Sequence, residues 1–222
     1  MKNLRLDRNI GTLSGAEQRK LGKSTAGIVG LGGIGSPAFE ILVRMGVGKL
    51  VVFERDSFGE TDFNRQLYAI DRNLGKKKIE VSAFKAMEIN PKLKLEKHDA
   101  NLDESNVHAL AGCDVVVDGT DNLASRRIIA KFCINHGIPY VFCSAGNAMG
   151  MCGVFVDADF GKVFGDAREP ARKSVIAPAA IMAGTISASQ AICVLLGKEH
   201  VEAPEFIFFD LFSPRILWRQ KV

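Results

Sequence analysis

From residue 25 onward the chain alternates short apolar runs with longer stretches whose apolar residues recur at helical spacing. Residues 26–29 form an apolar run, predicted as a short buried strand; a glycine cluster follows, and residues 37–46 fit a helix. Residues 49–54 return to a strand pattern and complete a strand–helix–strand unit, whose strands run parallel through a right-handed crossover. After a polar segment at 55–73, a helix is predicted over 76–90, stopped by Pro91. Residues 94–98 alternate as an exposed strand does, 103–111 read as a helix, and 114–118 as a fully buried strand with carboxylates at its end. A helix over 123–136 and strands at 139–143, 153–156 and 205–209 complete the pattern. Strands alternating with helices imply a doubly wound α/β sheet. Residues 1–24, polar and mixed in charge, read as an N-terminal arm with a short helix at 13–21, ahead of one domain over 25–222.

At 222 residues with 47% apolar and 24% charged positions, the chain can bury one sizeable core and is not disordered. Its net charge of +4 is spread along the sequence, without the basic stripe that nucleic-acid binding needs. Five cysteines (Cys113, Cys133, Cys143, Cys152, Cys193) include no CxxC pair, which predicts reduced thiols in a cytoplasmic protein without zinc. Residues 175–197 carry no charge, yet Pro178, Gly184, Thr185, Ser187, Ser189 and Gln190 lower their hydropathy; a core or interfacial helix is expected there, not a membrane span. The four histidines show no metal-binding spacing and read as structural or exposed.

The chemistry concentrates after the first strand. Gly30, Gly32, Gly33 and Gly35 form GxGGxG between a predicted strand and a helix, where backbone N–H groups and a helix N-terminus approach a phosphate. Glu54 ends the next strand, about 20 residues on, where a carboxylate accepts bonds from ribose hydroxyls. To this point NAD and ATP suit the pattern equally.

The segment after Glu54 separates them. Glu54-Arg55-Asp56, then Thr61-Asp62-Phe63-Asn64-Arg65-Gln66, resembles the D-x-D and S-N-L-x-R-Q motifs of the ubiquitin-activating (E1-like) superfamily, which includes the ThiF and MoeB adenylyltransferases. The resemblance runs along nearly the whole chain: Arg5-Leu6-Asp7-Arg8-Asn9 in the arm, Gly46-Val47-Gly48, Gly75 with Lys78, Ile89-Asn90-Pro91, Asp118-Gly119-Thr120-Asp121-Asn122, and Val175-Ile176-Ala177-Pro178. It implies a Rossmann-like doubly wound sheet, mostly parallel with antiparallel C-terminal strands. It also implies ATP-dependent activation of a carboxylate as an acyl-adenylate. Gly30, Gly32 and Gly33 would admit the triphosphate, Glu54 and Asp56 hold the ribose end, and Asp62, Gln66 and Asn122 complete the nucleotide site. Arg65 and Lys78 would neutralise the α-phosphate and leaving group, Asp121 would carry Mg²⁺, and Arg8 would reach the neighbouring site of a homodimer.

The resemblance leaves the carboxylate open: the C-terminus of a ubiquitin-like or sulfur-carrier protein, handed on to an acceptor protein, or a small molecule, as in the HcgE-like branch that adenylates a pyridinol carboxylate. Departures from the family pattern are Glu54 for its first aspartate, Asp62 for asparagine and Asn9 for glutamine. The zinc-binding CxxC pairs and a cysteine before Val175 are also missing, which argues against a thioester step. An NAD-dependent oxidoreductase would leave Arg65, Lys78, Asp121 and the arm unexplained, and an inactive E1-like subunit would lack some of them. Arg126 and Arg127 read equally as substrate ligands or ion-pair partners.

Overall fold

The computed structural model describes residues 4–165 and 174–222. Eight strands form one sheet in the order β3-β2-β1-β4-β5-β6-β7-β8. The parallel half comprises β1 (Thr25–Val29), β2 (Lys49–Phe53), β3 (Lys94–His98), β4 (Val115–Asp118) and β5 (Tyr140–Gly146), and the antiparallel extension comprises β6 (Met149–Phe155), β7 (Glu205–Asp210) and β8 (Leu217–Lys221). This is the mostly parallel, doubly wound sheet with antiparallel C-terminal strands that was expected.

Helices cover both faces. On one side, α1 (Gly15–Leu21), α2 (Gly35–Arg44), α3 (Lys78–Ile89) and α6 (Ala177–Leu196) enclose a core built on Ile28, Leu42, Leu50 and Val117. Leu13 and Leu21, from the arm, are buried in it. The other side, under α4 (Leu123–His136) and α5 (Phe160–Phe164), is packed with aromatic rings, among them Tyr140, Phe142, Phe155 and Phe206. Strand residues point alternately to these two cores, and β1, β2 and β4 are buried on both faces, which is why their sequences are continuous apolar runs.

Helix ends follow local chemistry. Asn122 caps α4 by accepting a bond from the Ser125 N–H, and Gly137 ends that helix in the left-handed conformation. α6 begins with Pro178 in its first turn and stops at Gly197. It is long and apolar enough to cross a membrane by length and composition, but half of its apolar window is buried inside the fold, against α2 and strands β4–β6. It is a core helix.

Four elements differ from expectation. Residues 103–111 form only a 3-10 turn at Val107–Leu110, because Asp103 and Asn106 bind nearby backbone N–H and C=O groups with their side chains and compete with helix bonds. β6 begins at Met149 and not at 153, its Gly150 and Gly153 lying flat against the rings of Phe209 and Phe206. The edge strand β8 and the one-turn helix α5 are additional. Residues 166–173, in the polar 156–175 segment between β6 and α6, lie outside the described residues.

Candidate active site

The strand order reverses between β1 and β4, and the crevice beyond their C-terminal ends is where this topology binds ligands. A cleft of about 580 Å³ lies there. Its floor is the glycine loop: Gly30 (φ +87°) follows β1, and a Cβ on it would lie 2.8 Å from the Gly119 carbonyl oxygen. A Cβ on Gly119 or on Gly35 would come closer still to the Gly30 carbonyl oxygen, so the turns after β1 and β4 interlock only as glycines. No side chain caps the start of α2, which leaves its N-terminal backbone aimed at the cleft as an anion site.

Glu54, at the end of β2, is buried and lines one side of the cleft. Its Oε2 accepts the Leu31 N–H at 2.7 Å and its Oε1 the Asp56 N–H at 2.7 Å. Each carboxylate oxygen keeps a second lone pair, so these bonds orient Glu54 toward the glycine loop while leaving acceptor capacity for a hydroxyl pair. Phe53, Ala100, Asn101 and Leu102 also line the cleft.

A compact polar cluster adjoins Glu54 through Asp56. The polar segment turns through a 3-10 element at Glu60–Asp62 and returns to the start of α3, bringing Asp56, Asp62, Arg65, Gln66 and Lys78 into the cleft wall. Lys78 is buried; its Nζ is 3.2 Å from Asp62 Oδ2 and 4.0 Å from Asp56 Oδ2, and it sits over the Phe58 ring. Asp62, also buried, accepts the Gln66 Nε2 donor at 2.6 Å and the Gly59 N–H at 3.0 Å. Arg65 bonds the Thr61 carbonyl oxygen and Asn64 Oδ1, with Nη2 3.8 Å from Asp62 Oδ1. Two cations, an aspartate between them and an open anion-binding loop beside them form a site for a polyphosphate.

The third wall comes from β4 and its loop. Asp118 has no solvent access, and it accepts from Thr120 N–H (2.7 Å), Thr120 Oγ1 (2.6 Å) and Tyr140 OH (2.6 Å). Arg126 Nε lies 3.4 Å from its Oδ2, and Nη2 binds the carbonyl oxygens of Thr120 and Cys143. Burial and the Asp118 carboxylate hold the Tyr140 phenol protonated, well above its ordinary pKa. This network carries the loop that presents Asp121 and Asn122 to the cleft. Asn122 serves the helix cap with its Oδ1. Arg126 is thus an ion-pair residue with one edge on the cleft, whereas Arg127 reaches the Gly165 carbonyl oxygen at the surface.

Of the expected site residues, only Arg8 lies elsewhere. It is exposed, in the arm's 3-10 turn at Leu4–Asn9, and its neighbour Arg5 binds carbonyl oxygens of Glu88 and Ile89 at the C-terminal end of α3. That is the pole of the domain opposite the cleft, since Lys78 stands at the other end of the same helix.

Asp118 and the β5–β6 hairpin tip, where Gly146 and Asn147 line the cleft, were not among the expected site residues. Asn147 has φ +54°, and its N–H and C=O pair with Ser174 and Ile176 ahead of α6. The Gly-Asn pair was the available turn signal. All five cysteines are unpaired; burial pushes the thiols of Cys133 and Cys152 well up and that of Cys113 to about 12. His98 faces Glu96 and stacks on Phe53, and His200 faces Glu202. These histidines are structural.

The fold and this cleft together define the E1-like adenylyltransferases: a glycine loop at the switch point, a buried carboxylate after β2, an arginine on the polar excursion before α3 and a lysine at the start of that helix. The chain belongs to the ThiF family, whose pattern matches residues 6–221. It is 32% identical over 202 residues to the SAMP-activating enzyme E1 of Haloferax volcanii, covering 87% of this chain and 75% of that one. It is 32% identical over 211 residues to the sulfur carrier protein ThiS adenylyltransferase of Escherichia coli, covering 91% of this chain and 83% of that one. Among solved structures, Escherichia coli MccB with ATP matches all of this chain and 71% of its own with a TM-score of 0.83 at 22% identity, a likeness of fold.

Proposed function

We propose that this protein activates the C-terminal carboxylate of a ubiquitin-like or sulfur-carrier protein as an acyl-adenylate, using ATP and releasing pyrophosphate. The observation that carries this is the convergence of Arg65, Lys78, Glu54 and the open glycine loop on one cleft. A carboxylate oxygen attacks the α-phosphorus and the bond to the pyrophosphate oxygen breaks. The barrier is mainly charge repulsion and alignment, which a fixed polar site lowers without a covalent group. The loop N–H groups and Lys78 hold the phosphates, Arg65 faces the charge that builds toward pyrophosphate, and Glu54 anchors the ribose. The substrate tail enters along the wall formed by Gly146, Asn147 and Val175.

The residues suit Mg²⁺. Mg²⁺ keeps much of its water and binds through one or two carboxylates plus substrate phosphates. Among the described residues no cluster of three or more metal-binding side chains forms a cage, while Asp121 stands on the cleft rim. Asp121 would hold the ion, which supplies charge neutralisation on the phosphates. We place the protein in the cytoplasm as a homodimer, without zinc, passing its adenylate to an acceptor protein; five unpaired thiols support the compartment.

The test is Mg²⁺-dependent ATP–pyrophosphate exchange in the presence of candidate carboxylates. Exchange is expected with a sulfur-carrier protein ending in glycine, abolished in Asp121→Ala and weakened in Glu54→Ala. Exchange only with a small-molecule carboxylate would move the substrate to that class. Binding of NAD without ATP would remove the adenylation reading altogether.

A further inference from the structure

The two cations that face the triphosphate are already engaged by a group the family pattern does not have. Where that pattern has asparagine, this chain has Asp62, a buried carboxylate that contacts Lys78, Arg65 and Gln66. Its Oδ2 is 3.2 Å from the Lys78 ammonium and its Oδ1 is 3.8 Å from the Arg65 guanidinium. Oδ1 also takes the Gln66 amide at 2.6 Å. A carboxylate only accepts, so Gln66 must turn its NH₂ toward Asp62, and its Oε1 is left buried without a partner. Asparagine in the same place would carry no charge and could donate to Gln66 Oε1, leaving that amide free to take either orientation.

We propose that Asp62 is a positioning residue that acts as a resident counter-ion: it holds Lys78 and Arg65 in place in the empty site and competes with the nucleotide's phosphates for them. The inference rests on the adenylation reading and adds a control on affinity for its two anionic ligands, ATP and the released pyrophosphate. A site with uncompensated cations binds both tightly and releases pyrophosphate slowly. With Asp62 present, each phosphate contact with Lys78 replaces an existing ion pair, and pyrophosphate leaves to a site that is neutralised again.

The sign of the resulting prediction separates this role from a structural one. A residue that merely braces the wall would weaken ligand binding when altered, whereas removal of a competing counter-ion strengthens it. Calorimetric titration of wild type and Asp62→Asn with pyrophosphate, ATP and adenosine is the experiment. Pyrophosphate and ATP should bind Asp62→Asn about tenfold more tightly, from the loss of one negative charge beside the anion. Adenosine, which meets only the Glu54 side, should bind both proteins equally. Lys78→Gln should then cost pyrophosphate more affinity in the Asp62→Asn background than in the wild type, since its charge is no longer shared.

Unchanged or weaker pyrophosphate binding in folded Asp62→Asn would overturn the counter-ion role. Should that variant not fold, Asp62→Ser, which can still accept from the Gly59 N–H, carries the same expectation. Tighter pyrophosphate binding with no ATP or adenosine binding in either protein would instead sink the nucleotide reading and leave the counter-ion role standing.

Discussion

Asp118 shows how a fully buried charge is made tolerable. Isolated, such a carboxylate would be costly, yet here three hydrogen bonds and the Arg126 guanidinium surround it. The cluster joins β4, its loop, α4 and Tyr140 of β5, so it sets the position of the loop that carries Asp121. Asp118→Asn keeps the shape but removes the charge that balances Arg126 and replaces one acceptor with a donor. We predict a loss of about 3 kcal/mol of stability in denaturant titration, with weaker Mg²⁺ dependence of ATP binding in the protein that remains folded. A loss under about 0.5 kcal/mol, the level of an ordinary surface substitution, would mean that the network does not act as a unit.

Among the elements, α6 and α2 are the pair on which the phosphate loop rests. Gly184 of α6 lies against the Ile34 carbonyl group, and a Cβ there would come within 2.6 Å of Pro37 Cγ. One turn earlier, Ala180 approaches Gly33 of the loop itself. The close approach exists because glycine has no side chain at the crossing, and the first turn of α2 has nowhere to retreat because Phe39 and Leu42 are seated in the core. Gly184→Ala should gain helix propensity yet lose about 1–3 kcal/mol through overpacking. ATP affinity should fall with it, because the displaced backbone is the proposed anion site. Thermal unfolding and ATP titration of this variant, with Ser189→Ala on the exposed side of α6 as control, would show whether the two losses go together; a rise in Tm with unchanged affinity would refute the coupling.

For the whole molecule the question is where the arm acts. Arg8 lies near the end of α2 remote from the phosphate loop, and that helix of 10 residues is about 15 Å long. An arginine side chain cannot span this, so an Arg8 that acts on the triphosphate acts on a second copy. Exposed Phe63, Leu67, Ile70 and Leu74 beside the cleft, and Ile181 on α6, offer apolar surface for such a contact. Arg8→Ala and Asp121→Ala, each inactive alone, should regain pyrophosphate exchange when mixed, since one site of the mixed dimer is then intact. Zero activity despite demonstrated subunit exchange would exclude action in trans.

Much of this molecule was legible along the chain. The buried parallel strands, the glycine loop and Glu54 are local patterns, because a strand buried on both faces is a run of apolar residues and a phosphate turn needs glycine wherever it occurs. Arg65, Lys78 and Asp121 could be named only through resemblance to a family, since a lysine run at a helix start has the same local pattern whether it is solvated or buried. Tertiary structure decided what depends on distant neighbours. It buried Lys78 against Asp62, enclosed Asp118 with Tyr140 and Arg126, and put the Asn147 hairpin tip into the cleft. It also left only a 3-10 turn within residues 103–111 and gave residues 217–221 a strand, because an edge strand is stabilised by its pairing with β7 and not by its own pattern. The elements follow from spacing within the sequence; the electrostatics of the site follow from which elements the sheet order brings side by side.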